Sequence, residues 1–305
     1  MTLIGELKDG ERAKIQLAIR KKYGIREYRS RFGKYFMLEA GDRTGNVIVK
    51  YWGTNDEVTE RLYSELKEGD VIEIDGEYHK EDSPYISVDP RYDVMEKTEN
   101  YDRSNFVQQI ADIDNIMNQI LRYVEKVEES HLSQLLNLFF SSSHFIDSFR
   151  DAPGSTVGLY AALGGLAKHT LNVTHSSDKL AEIYSLNQDF LITAALLHDI
   201  GRIESYDVDT SIRMGNRGKL LGHTLISYNM VEEKIREIVD FPADMRDKLL
   251  HAIISHHSPV VDNVPQRLRT RESYILFYAD MLDISMGEFD EESDEVWKYS
   301  RKIII

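Results

Sequence analysis

A change of texture near residue 95 constrains the fold more than any other feature of the chain. Before it lie short runs in which apolar and polar residues alternate, punctuated by glycines. After it, apolar residues recur three and four apart over long stretches. Alternation is the pattern of a half-buried strand, and the longer period is that of an amphipathic helix. At 305 residues the chain exceeds the usual size of a single core, so two domains are expected. The texture gives a β domain over 1–95, a helical linker region over 96–150 and a helical domain over 151–305, with the seam around Tyr92 to Ser104.

In the first domain, Ala13 to Arg20 alternates as a strand does. Lys34 to Ala40 and Asn46 to Trp52 flank Gly41-Asp42-Arg43-Thr44-Gly45, a polar hairpin bounded by glycines. Val58, Leu62 and Leu66 mark a short amphipathic helix over 57–66, and two more strands follow at Asp70 to Tyr78 and Pro84 to Val88. Three strands, a helix and two strands is the order of an OB-fold, a five-stranded barrel whose open face takes oligonucleotides or oligosaccharides. The phrases "YFMLEAGDRTGNVIVKYW" and "LKEGDVIEIDGEY" also resemble the core strands of the OB-type nucleic-acid-binding domain.

The formal charge of −15 argues against a generally basic coat, yet ten Lys or Arg stand against three acids between Lys8 and Lys34. There the run from Arg20 to Phe32 interleaves cations with rings. Lys21, Lys22, Arg26, Arg29 and Arg31 can follow phosphates while Tyr23, Tyr28 and Phe32 stack on bases, which holds a strand without reading its sequence. A plain solvated loop is the alternative reading. Tyr35 and Trp52 extend the candidate stacking set, although for Tyr35, Tyr51, Trp52, Tyr78 and Tyr85 a place in the barrel core is an equal reading.

There are no cysteines, which excludes disulfides and thiolate metal sites and leaves His, Asp and Glu as the strong ligands. No long uninterrupted apolar segment and no charged-then-hydrophobic leader is present, so a soluble cytoplasmic protein without a membrane span is expected.

From Phe106 to about Phe149 the periodicity predicts helix, broken at Asp151-Ala152-Pro153-Gly154. Further helices are expected over about 166–185, 189–200, 221–238, 243–257 and 270–287. On or beside these stretches stand His169, His198, Asp199, His223, His256, His257 and Asp280. His198-Asp199 closes the apolar run Phe190 to Leu197, where an unpaired imidazole or carboxylate is costly to bury. A metal centre removes that cost. Five imidazoles and two carboxylates are too many donors for one tetrahedral ion but suit two ions sharing a carboxylate. Taken singly, each helical histidine is more often structural. His175 and His251 belong to no motif, and His79, His131 and His144 present no case.

The phrases "GGLAKHT", "ALLHDIGR", "LLGHT", "ISHH" and "YADMLD", in this order, resemble the HD-domain phosphohydrolase superfamily. Joined to the barrel, they make the chain similar to the YhaM-type family of 3′-5′ exoribonucleases. The resemblance implies a multi-domain fold, an N-terminal all-β OB-fold barrel followed by an all-α HD-domain. It also implies that His169, His198, Asp199 and Asp280 hold one ion and that Asp199, His223, His256 and His257 hold the other. At the last helix it favours Asp280 over Asp283. The family suggests manganese, while the imidazole and carboxylate donors also suit iron, cobalt, nickel or zinc. Two such cations bind a phosphodiester's oxygens and lower the pKa of a bridging water.

Arg202 stands where the family generally has lysine, with two readings: a clamp on a substrate phosphate, or a complement to the helix carbonyls. Arg213, Arg217 and Lys219 are readable as a basic flap or as a surface loop. The family usually carries a histidine pair where this chain has Leu159-Tyr160, which bears on substrate grip and not on the ligands.

The expected function is a metal-dependent 3′-5′ exonuclease acting on single-stranded RNA, with DNA left open as a second substrate. Asp199 and Arg202 are its catalytic candidates, single-stranded nucleic acid is its partner, and a homo-oligomer is compatible with the sequence. Two rivals are a phosphohydrolase of nucleotides or cyclic dinucleotides, and a nucleic-acid-binding protein with a structural metal site.

Overall fold

The computed structural model describes residues 2–29, 32–80, 83–257 and 267–287. They form two compact units. The first runs to Gln108 and includes Val208–Ser211; the second takes Gln109–Asp207 and continues from Ile212.

In the first unit, strands β1 (Arg12–Lys22), β2 (Arg26–Glu27), β3 (Lys34–Asp42) and β4 (Gly45–Tyr51) precede helix α1 (Asp56–Glu65). Strands β5 (Val71–His79), β6 (Tyr85–Val88) and β7 (Val94–Thr98) follow it. The ladder runs β1-β3-β4-β6-β5 and closes through β1 against β5. Every pairing is antiparallel except β4 with β6. This is the five-stranded OB-like barrel that the strand order predicts. Alternate residues fill it, among them Ile15, Leu17, Ile19, Phe36, Leu38, Val49, Ile72, Ile74 and Ile86. Asn55 starts α1 by accepting from the Val58 amide at 3.1 Å. Strand β7 pairs with β5 and occupies part of the seam that sequence texture leaves without a strand.

The second unit holds α2 (Ile113–Lys126), α3 (Ser130–Phe140), α4 (Ser143–Asp151), α5 (Gly165–Tyr184) and α6 (Gln188–Leu197). A two-stranded ladder, β8 (Tyr206–Val208) with β9 (Ile212–Met214), leads to α7 (Asn216–Ile235), α8 (Ala243–Ser255) and α9 (Arg271–Gly287). The helical stretch expected from Phe106 to Phe149 is three helices. Asp112 takes a left-handed φ of 56° before α2. The Glu129 carboxylate caps α3 at the Leu132 amide, and the Ser142 hydroxyl caps α4 at Phe145. Every side chain from Phe190 to Leu197 of α6 is buried, as an all-round apolar helix requires. Alpha-6 therefore runs through the core, and the residues after its last turn emerge inside the unit.

Candidate functional site

His198 and Asp199 come directly after α6, and both are fully buried. The next residues turn tightly against α7, and Gly201 allows the approach: a Cβ there would lie 2.2 Å from the His223 carbonyl oxygen. Its amide donates to the Ser227 hydroxyl at 2.8 Å. Alpha-7 is kinked at Gly222, whose φ of 72° and ψ of 150° break the helix just before His223. His256 and His257 come after α8, His169 lies in α5 and Asp280 in α9.

The seven side chains named from sequence converge. Asp199 lies between two sets of rings, one for each carboxylate oxygen. Its Oδ1 is 3.3 Å from His223 Nε2 and 3.4 Å from His256 Nε2. Its Oδ2 is 3.5 Å from His169 Nε2 and 3.6 Å from His198 Nε2. Asp280 Oδ1 is 3.1 Å from His169 Nε2, and its Oδ2 is 3.4 Å from His257 Nδ1. Two groups of ligand atoms arise, each within 4.8 Å: His169, His198 and Asp280, which are all buried, and Asp199, His223, His256 and His257.

The rings are fixed by the groups behind them. His198 Nδ1–H donates to the Ala195 carbonyl at 2.7 Å, and His256 Nδ1–H donates to the Ile253 carbonyl at 2.6 Å. A carbonyl only accepts, so each Nδ1 carries a proton and each Nε2 is the nitrogen turned toward the site. His169 Nε2 and His198 Nε2 stand 3.3 Å apart, and His223 Nε2 and His257 Nε2 stand 3.0 Å apart. Lone pairs aimed at one another are held comfortably only by a proton or a cation between them.

Among the described residues, Asp199 Oδ1, both Asp280 oxygens and His256 Nε2 are buried without a hydrogen-bond partner. Leaving buried carboxylate unpaired costs several kcal/mol, on the order of the penalty for any uncompensated buried ion. Orphaned oxygens among imidazole nitrogens fit a divalent cation of the nitrogen- and oxygen-loving kind. Protonation agrees with this. Burial pushes His198 down to about 4 and His223 down to about 3, leaving both neutral and able to ligate near pH 7. For His169 and His256, burial is outweighed by the pull of nearby carboxylates, Asp199 first, and both titrate above the ordinary imidazole value. For Asp199, burial is outweighed by the Arg202 guanidinium and neighbouring imidazoles, which hold it ionised.

Arg202 is buried. Its Nε–H donates to Asp199 Oδ2 at 2.5 Å and its Nη1 to the Tyr206 hydroxyl at 2.8 Å. Arg213 lies in β9, while Arg217 and Lys219 lie in α7, Arg217 paired with Glu204 at 2.8 Å. The connection read as a basic flap or a loop is thus regular structure on both sides.

Asp283, which the sequence offers only as a rival ligand to Asp280, and Tyr160, which it offers only for substrate grip, lie behind His169 together with Asn172. Asp283 Oδ2 accepts from His169 Nδ1–H and from the Tyr160 hydroxyl, each at 2.7 Å, and Asp283 Oδ1 accepts from Asn172 Nδ2 at 2.8 Å. The three-residue spacing from Asp280 to Asp283, and from His169 to Asn172, was the available signal, since it keeps each pair on one helix face. Tyr160 gave no such signal.

In the barrel unit, Tyr28, Tyr35 and Trp52 stack on one another. Their centroids are 5.2 Å apart for Tyr28 and Tyr35, 6.1 Å for Tyr28 and Trp52, and 5.5 Å for Tyr35 and Trp52. The Trp52 indole donates to Ser87 Oγ at 2.9 Å. Phe32 is fully exposed, and Lys21, Arg26 and Arg29 are exposed. The Lys22 ammonium is engaged by the carbonyls of Tyr63 and Leu66, and Tyr23 reaches Glu39. Arg31 lies outside the described residues. Tyr51 and Tyr78 belong to the core, while Tyr85 is half-buried, stacked on His79 and under Lys50.

Residues 166–285 match the HD domain family. The helical unit carries an HD domain. The candidate centre lies within that HD domain, from His169 to Asp280. Among curated relatives, the 3'-5' exoribonuclease YhaM of Bacillus subtilis (strain 168) is 28% identical over 272 residues, 87% of this chain and 83% of the relative. The protein of the same name from Shouchella clausii (strain KSM-K16) is 24% identical over 282 residues, 90% of this chain and 85% of the relative. Resemblance to the YhaM-type proteins thus runs through barrel and HD domain alike. A solved structure described as "Structure and Conformational Change of a Replication Protein A Heterotrimer Bound to ssDNA" is 16% identical, covers 39% of this chain and 29% of its own, and has a TM-score of 0.29, too low to bear on the fold. Among the described residues, no helix is long and apolar enough to cross a membrane.

Proposed function

We propose that this chain is a metal-dependent 3′-5′ exonuclease that hydrolyses phosphodiester bonds of single-stranded RNA, and of DNA as well, with two divalent cations, manganese first among them. One observation carries the reading: buried carboxylate oxygens of Asp199 and Asp280 lack partners at the point where five imidazoles meet. The names of the two relatives agree with it.

His169, His198 and Asp280 hold one ion; His223, His256 and His257 hold the other; Asp199 serves both through its two oxygens. Divalent cations there supply the Lewis acidity and the lowered water pKa that phosphodiester hydrolysis requires. Arg202 keeps Asp199 ionised and fixes its plane, which leaves Oδ1 for a cation. His223 and His257, with side chains 19% and 35% exposed, form the side that a phosphate can approach.

In the barrel, Tyr28, Tyr35, Trp52 and Phe32 offer ring faces, and Lys21, Arg26 and Arg29 offer charge to a backbone. The Lys22 ammonium, already bound to two carbonyls, contributes to the packing of α1.

The test is degradation of a 5′-labelled single-stranded oligonucleotide with Mn²⁺. A descending ladder of labelled products is expected, with RNA and DNA run side by side. Intact strands across manganese, iron, cobalt, nickel and zinc would overturn the reading. Turnover of nucleotides or cyclic dinucleotides beside intact strands would move the assignment to a small-substrate phosphohydrolase.

A further inference from the structure

Asp280 and Asp283 lie three residues apart on α9, yet their surroundings are opposite. Both Asp280 oxygens are buried without a hydrogen-bond partner. Both Asp283 oxygens are taken: Oδ2 by His169 Nδ1–H and the Tyr160 hydroxyl, Oδ1 by Asn172 Nδ2. A carboxylate saturated by donors is a poor ligand and a good anchor.

We propose that Asp283, Tyr160 and Asn172 are positioning residues whose hydrogen-bond chain fixes the tautomer and plane of His169, so that its Nε2 lone pair faces the ion held with His198 and Asp280. The inference rests on reading that group as an ion site.

The geometry supports it at each link. An ionised carboxylate has no proton to give, so the 2.7 Å contact with Asp283 places the proton on His169 Nδ1 and frees Nε2. Nε2 then lies 3.1 Å from Asp280 Oδ1 and 3.3 Å from His198 Nε2. Tyr160 is buried, its ring centroid 5.2 Å from that of His169. Its hydroxyl receives a second contact from Asn172 Nδ2 at 3.3 Å, which closes a ring of contacts about Asp283.

The backbone of Tyr160 is fixed as well, since its carbonyl accepts from the amides of Gly154 and Ser155 at 2.9 and 3.2 Å. Burial, then the bond to Asp283, raises the phenol above its ordinary value, so it remains a donor over the range in which an enzyme works. Partners behind a metal-binding histidine set its orientation and basicity, and their loss typically costs about 10–100-fold in affinity.

The experiment has two arms on the full chain. Long-range ¹⁵N–¹H spectra of the metal-free wild type, recorded above the pH at which His169 gives up its second proton, report the tautomer of the neutral ring directly, with assignment by His169→Gln. Manganese titration, followed by the electron paramagnetic resonance of free Mn²⁺, compares wild type, Tyr160→Phe and Asp283→Asn.

The expected result is an Nδ1-protonated ring in the wild type. One of two ions should bind several-fold more weakly in Tyr160→Phe and roughly 10–100-fold more weakly in Asp283→Asn, the other ion keeping its affinity. A neutral ring protonated on Nε2, or both variants binding two ions as the wild type does, would overturn the inference. If the wild type takes up no ion, the proposed function fails, while the spectra still decide whether Asp283 sets the His169 tautomer. Should Asp283→Asn fail to fold, Tyr160→Phe, which keeps the ring and removes only the hydroxyl, decides.

Discussion

The two groups of donors in the HD domain differ in their access to water. His169, His198 and Asp280 are buried, and two of the three rest on a second partner that dictates their orientation. In the other group, His223 and His257 are partly open, and among the described residues His256 alone of these rings leans on a carbonyl. Asp199 joins the two, one oxygen facing each. An ion in the buried group would be enclosed by its donors, whereas His223 and His257 would leave an ion in the other group open on one side.

The largest expected effect comes from removing the shared carboxylate. Asp199→Ala should lower strand degradation on the order of 10³-fold or more, because both ions lose a ligand at once. A gel assay with Mn²⁺ checks it, and activity within tenfold of wild type would break the idea of a shared ligand.

Next come single substitutions that separate the groups. His198→Ala should leave one ion bound and also lower the melting temperature, since it empties a buried space. His257→Ala should weaken one ion with little change in melting. Equal thermal losses in both variants would contradict the contrast in burial.

The barrel offers a smaller effect of another kind. Trp52→Leu removes one ring from the stacked trio, and base stacking on an aromatic ring contributes about 1–3 kcal/mol. A rise in KM for long strands of roughly tenfold is expected, with kcat for a dinucleotide unchanged. An unaltered KM would remove Trp52 from the binding face.

A further effect is on pH. In the metal-free protein, the pull of nearby carboxylates outweighs burial and holds protons on His169 and His256 above the ordinary imidazole range. An incoming ion must displace those protons, so affinity should rise with pH until both rings have lost them and level off above that point. As pH falls through the raised values, affinity should drop by about tenfold per unit for each proton displaced. Calorimetry in two buffers of different ionisation enthalpy counts the released protons. An affinity flat between pH 6 and 8 would show that the rings are already neutral before the ion arrives.

Much of this was legible in the amino-acid order. The barrel could be read because its strands alternate around glycine turns, and His198-Asp199 stood out because polar donors follow an eight-residue run in which Thr193 alone is polar. The breaks between α2, α3 and α4 were hidden because Glu129 and Ser142 cap within one continuous apolar rhythm. Strand β7 escaped because Glu96 and Lys97 interrupt its alternation.

Local contacts were the least legible part. Lys22 reads as a free cation in a basic run, but its neighbours in space are the carbonyls at the end of α1. Tyr160 comes from an irregular segment and meets Asp283 across 123 residues, a separation at which spacing carries no information.

The most direct test of the central claim is a crystal of the protein grown with excess manganese and measured at the manganese absorption edge. The account predicts two anomalous peaks about 3.5–4 Å apart, with Asp199 between them, one peak against His169, His198 and Asp280 and the other against His223, His256 and His257. A single peak away from Asp199, or none within reach of these seven side chains, would contradict it.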